Sequence, residues 1–272
     1  MSLLSQTRDI CQELELDPVK SKGQNFLIET KVVDDIIKVA ALEHNETVLE
    51  IGPGLGILTQ ELVKHAGKVI AVELDKKLFV YLKSKFKTVT NLELIEGDIL
   101  EILNNFTEKI LGKKYKVVAN LPYQITSYVL RRLLELENKP TELVVMVQKE
   151  VAERICAQAG QMSILAVMVQ YYSQPEIVRI VGKNNFWPEP QVESAVLKLR
   201  VNKSSGNKID EKEFFKLVKV GFSSKRKMLK NNLSNIYDGQ QVKQVLDELG
   251  LDLKIRAQEL GVEEWQALYT KL

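Results

Sequence analysis

The chain has 272 residues, 45% of them apolar and 27% charged, with a net charge of only +2. That balance excludes an acidic or basic disordered polymer, and the length buries a sizeable core without disulfides or a structural metal. Cys11 and Cys156 lie far apart, "MSLLSQTRDI" lacks the pattern of a signal peptide, and no apolar run nears the ~20 residues that span a bilayer. A cytoplasmic protein with reduced thiols, no metal and no membrane partner is expected.

In chain order, Gln24, Asn25 and Phe26 come first, ahead of a segment of helical spacing. Asn25 is then either a helix N-cap or a ligand contact. Apolar, β-branched runs follow at "TVLEIG" (47–52), "KVIAVEL" (68–74), "LELIEG" (92–97), "YKVVAN" (115–120) and "ELVVMVQ" (142–148). Between them "ILTQELVKHA", "DKKLFVYLKSKF" and "TSYVLRRLLELE" carry helical spacing. Two more strands are expected at "EIVRIVG" (176–182) and "SAVLKLRV" (194–201). Seven strands largely alternating with helices predict an α/β fold with a mostly parallel, Rossmann-like sheet.

The first strand meets its helix through "EIGPGLG", with Gly52, Gly54 and Gly56 in the turn. Glycines suit a sharp turn whose backbone must approach a ligand closely. The next position of a dinucleotide fingerprint is not glycine, and no P-loop lysine follows, which argues against NAD and ATP. Glu73 ends the second strand and is either a solvated acid or the acceptor of a ribose's hydroxyl protons. Asp98 ends the third strand and Asn120 the fourth. Acceptors lined up beside such a turn describe a nucleoside cofactor without a polyphosphate, and S-adenosylmethionine fits.

Asn120 opens "NLPYQIT" (120–126). An aromatic amine is a poor nucleophile because its lone pair is delocalised into the ring. The Asn120 side-chain oxygen and the Leu121 carbonyl would hold its two protons and turn that lone pair toward a methyl donor. Pro122 stiffens the turn and restricts Leu121 to extended geometry. Tyr123 is placed to stack on the base.

Past the strands, "NKSSGNK" (202–208) reads as a linker, and the remainder is helical: "EKEFFKLVKVGF", "KRKMLKNNL", "GQQVKQVLDELG" and "VEEWQALYTKL". The expected domains are residues 1–205 and a small all-α domain, 206–272. From Lys212 to Lys230 the chain has seven basic residues and one acid, a footprint for an anionic polymer. His44 and His65 lack further ligands nearby in sequence and are expected at the surface. No long apolar edge suggests an obligate dimer, and a monomer is expected.

The segments "GQNFL" (23–27), "EIGPGLG" (50–56), "AVELD" (71–75), "EGDIL" (96–100), "NLPYQIT" (120–126) and "FWPEPQVESAV" (186–196) resemble the ribosomal RNA adenine dimethyltransferase family. The basic "GFSSKRKMLKNNL" (221–233) resembles its bacterial, KsgA-type branch. The resemblance implies dimethylation of two adjacent adenosines near the 3′ end of small-subunit 16S ribosomal RNA. It implies cofactor contacts at Asn25, Leu27, Gly52, Gly54, Glu73, Asp98 and Asn120, with Glu73 on the ribose and Asp98 on the cofactor's adenine amine. It further implies a catalytic group of Asn120, Leu121, Pro122 and Tyr123, with Phe186 covering the target base opposite Tyr123. RNA contacts are expected at Lys225, Arg226, Lys227 and Lys230. The family often carries paired arginines where this chain has Lys225 and Arg226, and Asn-Ile-Ser where it has Gln124, Ile125 and Thr126. Charge is retained at the first site, and the pocket rim changes at the second. Alternatives are a large-subunit adenine methyltransferase conferring macrolide resistance, and a ribosome-assembly factor in which binding dominates. A small-molecule methyltransferase would not explain the basic helical appendage.

Overall fold

The computed structural model describes residues 2–16, 24–105, 114–202 and 209–272. In chain order its strands are β1 (Phe26–Leu27), β2 (Thr47–Ile51), β3 (Lys68–Glu73), β4 (Leu92–Glu96), β5 (Tyr115–Asn120), β6 (Glu142–Gln148), β7 (Ser173–Val181), β8 (Phe186–Trp187) and β9 (Ser194–Val201). The main sheet has seven strands in the order β4-β3-β2-β5-β6-β9-β7. Neighbours from β4 to β6 are parallel, and β9 runs antiparallel to β6, with Val196 opposite Met146. The mostly parallel seven-stranded sheet agrees with the sequence reading. The remaining two strands, β1 and β8, pair antiparallel as a small ribbon.

The central strands form because their side chains are apolar on both faces. Val117, Val118 and Ala119 on β5, and Leu143 through Val147 on β6, are at most 1% exposed. Each crossover needs an element long enough to return the chain, and the sequence provides amphipathic helices. The helix Lys76–Lys85 buries Leu78 and Leu82 four residues apart and is capped by Asp75, which accepts from the Lys77 and Leu78 N–H groups. The helix Thr126–Glu135 buries Val129, Leu130, Leu133 and Leu134 in the same manner. Strand order reverses between β2 and β5, which opens a crevice at their carboxyl ends.

One helix begins elsewhere than Asn25 suggested. Thr30–Ala40 is capped by Glu29, whose carboxylate accepts the Lys31 N–H at 3.2 Å, while Asn25 sits ahead of β1. The capping alternative for Asn25 is therefore set aside.

The chain divides into two compact units, residues 1–152 with 175–201, and residues 153–174 with 202–272. The expected division at 205/206 lies outside the described residues, and so does most of the linker segment. The second unit also takes the helix Ile164–Tyr172, which the sequence reading left with the sheet. Tertiary packing decides this: Met162, Ala166 and Val167 share one apolar cluster with Phe214, Leu246 and Trp265. The helices Glu211–Gly221, Leu229–Leu233, Gly239–Glu248 and Val262–Lys271 complete that unit. "KRKMLKNNL" is not one helix, because residues 225–228 lie in a turn and only Leu229–Leu233 is helical.

Candidate active site

A cavity of ≈ 410 Å³ occupies the crevice at the carboxyl ends of β2, β3 and β5. Its size is in the range of small-ligand pockets. One wall is the turn after β2. Gly52, Gly54 and Gly56 all have positive φ, at +67°, +58° and +74°. One of them, Gly56, also has no room for a side chain, and Gly54 has little. A Cβ on Gly54 would lie 3.3 Å from the Phe26 ring, and one on Gly56 would lie 2.7 Å from the Phe86 ring. The left-handed backbone and the side chains packed against Gly54 and Gly56 therefore favour glycine in this turn.

Glu73, the last residue of β3, is 6% exposed, so it is not a solvated strand-end acid. Its carboxylate accepts the Gly54 N–H at 3.0 Å and the Asp75 N–H at 2.9 Å. Burial raises its pKa, and those two N–H groups oppose the rise. A carboxylate has about four acceptor sites, which leaves capacity facing the cavity. Asp98 also lines the cavity and accepts the Leu100 N–H at 2.8 Å, at the start of the helix Ile99–Asn105. Asn25 and Leu27 also line the cavity, Leu27 from the β1–β8 ribbon and Asn25 just ahead of it.

Asn120 ends β5, and with Leu121, Pro122 and Tyr123 it lines the same cavity. The Leu121 N–H donates to the Met146 carbonyl at 3.1 Å, which continues the sheet one residue past the strand. The Pro122 carbonyl accepts from the Ile125 N–H at 3.2 Å and the Thr126 hydroxyl at 3.0 Å. This closes the turn directly into its helix. Tyr123 is half-buried, and burial raises its pKa.

Phe186 departs from expectation. It does not line the cavity but is 3% exposed in the core cluster with Leu27, Val33 and Val196. Its backbone is paired with Leu27 in the ribbon, and successive strand residues point to opposite faces. Trp187 takes the other face, against the cluster of Cys11, Phe26, Leu55 and Leu78, with the Arg8 guanidinium 5.8 Å from its ring centre.

Sequence reasoning gave no role to Glu50, Thr59 or Lys85. Glu50 lies on β2, lines the cavity at 1% exposure, and accepts the Thr59 hydroxyl at 2.7 Å. Burial pushes its carboxyl up to about 8; the Thr59 hydrogen bond opposes this, the charge of Glu73 adds to it and that of Lys85 opposes it. The Lys85 ammonium donates to the Leu55 carbonyl at 2.8 Å and braces the glycine turn from behind. Burial lowers its pKa, opposed by Glu50. The signal was present in the sequence: an acid inside the apolar run "VLEIG" has no solvent to face.

In the second unit, Lys225, Arg226 and Lys227 are exposed in the turn, and Lys230 is half-buried on the short helix. The turn is held from inside by Asn232, which is 1% exposed and donates to the carbonyls of Gly221 at 2.6 Å and Ser224 at 3.1 Å. A Cβ on Gly221 would lie 2.3 Å from the Trp265 ring, so the helix leading into the turn packs tightly there. Among the described residues no group of three or more His, Cys, Asp or Glu could hold a metal ion, and no helix is long and apolar enough to cross a membrane.

Residues 19–272 match the family model described as ribosomal RNA adenine dimethylase. Ribosomal RNA small subunit methyltransferase A of Dehalococcoides mccartyi (strain 195) is 43% identical, over 98% of this chain and 92% of its own length. The protein of the same name from Moorella thermoacetica is 38% identical, over 96% of this chain and 95% of its own. Among solved structures, a dimethyladenosine transferase from Plasmodium falciparum superposes with a TM-score of 0.77 at 28% identity, covering 89% of this chain and 95% of that one. The 23S rRNA methyltransferase ErmE superposes with a TM-score of 0.75 at 27% identity, covering 91% and 99%.

Proposed function

Since the chain belongs to the ribosomal RNA adenine dimethylase family, we propose that it transfers methyl groups from S-adenosylmethionine to the exocyclic amines of two adjacent adenosines near the 3′ end of small-subunit rRNA. One observation carries this reading: the "NLPY" turn lines the same cavity as the glycine turn and the acids Glu73 and Asp98. The choice of small over large subunit draws on the curated relatives at 38–43% identity, against 27% for the 23S enzyme.

The residues fit the cofactor. The glycine turn brings bare backbone to the cavity wall, Glu73 has acceptor sites left for ribose hydroxyls, and Asp98 is placed for an amine. Gly52, Asn25 and Leu27 would hold the rest. When bound, S-adenosylmethionine supplies an electrophilic methyl carbon on a positively charged sulfur. The protein's work lies on the acceptor side. The Asn120 side-chain oxygen and the Leu121 carbonyl each accept one amine hydrogen and turn the nitrogen lone pair out of conjugation. Pro122 aims that carbonyl, and Tyr123 stacks on a base drawn out of the RNA. The gain is orientation and preorganised dipoles, with no ionised base. Phe186, sealed in the core, stabilises the ribbon behind the cavity. The exposed basic turn supplies phosphate contacts through Lys225, Arg226 and Lys227, with Lys230 beside them. We expect the protein to act as a monomer in the cytoplasm.

The test is transfer of labelled methyl groups from S-adenosylmethionine to undermethylated small subunits, with mass spectrometry of the 3′ rRNA fragment. Dimethylation of two adjacent adenosines is expected, with no label on large-subunit RNA; label on large subunits alone would reverse the assignment. Glu73→Ala is expected to abolish transfer and leave subunit binding intact. Loss of binding as well would mean that Glu73 serves the structure rather than the cofactor.

A further inference from the structure

We infer that Ser194 is a positioning residue for the reaction, holding the Tyr123 ring at the angle at which it meets the target base. The inference rests on the reading of Tyr123 as the base-stacking residue. Ser194 is 0% exposed, and its Oγ lies 2.6 Å from the Tyr123 phenol oxygen, across 71 residues of sequence. It is the first residue of β9 and sits opposite Gln148 of β6 in the ladder. The next step of that ladder is tied twice. The Lys149 N–H donates to the Glu193 carbonyl at 3.0 Å, and the Lys149 ammonium meets the Glu193 carboxylate at 2.9 Å. The backbone that carries the Ser194 hydroxyl is therefore fixed in the sheet.

Tyr123 is not on a strand. It lies in the turn between β5 and the helix Thr126–Glu135, on the cavity wall. Stacking depends on the plane of the ring, and the packing around a half-buried ring leaves it some freedom, above all in χ2. A hydrogen bond at the far end of the ring removes that freedom. The segment "FWPEPQVES" thus serves the cavity through its final serine, while its first residue, Phe186, is in the core.

The test is a double-mutant cycle on full-length protein, using Ser194→Ala, Tyr123→Phe and the combination. Tyr123→Phe removes the same bond from the other partner while keeping the ring, so a folding defect in Ser194→Ala does not leave the question open. Methyl transfer to undermethylated small subunits gives kcat and KM, and calorimetry gives the S-adenosylmethionine Kd. Each single variant is expected to lower kcat by roughly three- to tenfold with Kd unchanged. The double variant is expected to lose no more than the worse single one. Additive losses, wild-type kcat in either single variant, or a fall in cofactor affinity in place of kcat would overturn the inference. If the wild-type protein itself fails to methylate small subunits, the proposed function fails instead.

Discussion

Replacing Glu50 by Gln tests the buried carboxyl behind the glycine turn through the pH dependence of stability. Glu50 is 1% exposed and ionises at about 8 rather than at the ordinary 4.5. In the unfolded chain the group loses its proton near the ordinary value, whereas the folded protein keeps it to about 8. Between those points the native state binds one proton more, so stability falls as pH rises. The contribution is fully present below the unfolded pKa and is lost as pH climbs through the folded one. At about 1.4 kcal/mol per pH unit, the window makes ~5 kcal/mol an upper figure. Glutamine is neutral throughout and keeps an acceptor for the Thr59 hydroxyl, so the variant lacks this slope. Urea unfolding of both proteins at intervals from pH 5 to pH 9 reads the difference directly. The variant is expected to gain on the wild type steadily across that range and to level off above the folded pKa. A stability difference independent of pH would refute the assignment of a neutral Glu50.

Gly56→Ala places a methyl group 2.7 Å from Phe86 and 2.8 Å from Leu82 at a φ of +74°, so a loss of about 1–3 kcal/mol is expected in denaturant unfolding, and an unchanged midpoint would contradict it. Tyr123→Ala removes a stacking surface of about 1–3 kcal/mol, which predicts a roughly 5- to 160-fold fall in kcat with cofactor affinity unchanged. A collapse of cofactor binding would show that the cavity is divided differently. Changing Lys225, Arg226 and Lys227 together to alanine should make the log–log salt dependence of binding to the single-stranded RNA target shallower by about 0.7 per lost phosphate contact. The same slope in variant and wild type would remove those residues from the RNA interface.

The sheet was legible because most of its strands are compact apolar, β-branched runs, and the glycine spacing between "VLEI" and "ILTQEL" announced a close-approach turn. The acids were legible because Glu73 and Asp98 stand where apolar runs stop. What one sequence could not give was direction and partnership. Nothing in "FWPEP" states which face of a two-residue strand Phe186 takes, and the ribbon partner that decides it is Leu27. The Ser194–Tyr123 bond joins distant segments and leaves no local trace. The basic segment was misjudged for a local reason, since Gly221, Ser223 and Ser224 already mark a helix end that charge periodicity obscured. The allegiance of the helix Ile164–Tyr172 is purely tertiary, because an apolar helix reads the same whichever core receives it.

That allegiance bears on how the nascent chain matures. Met162, Ala166 and Val167 are synthesised roughly a hundred residues before Trp265, the largest side chain of the cluster they complete. At about 5–20 residues per second, these apolar groups wait several seconds for their partners, while the sheet strands between them emerge first. The second unit therefore cannot assemble vectorially from either of its two stretches, and a translation pause or truncation after Val201 would strand a greasy helix in water, open to chaperones and to aggregation.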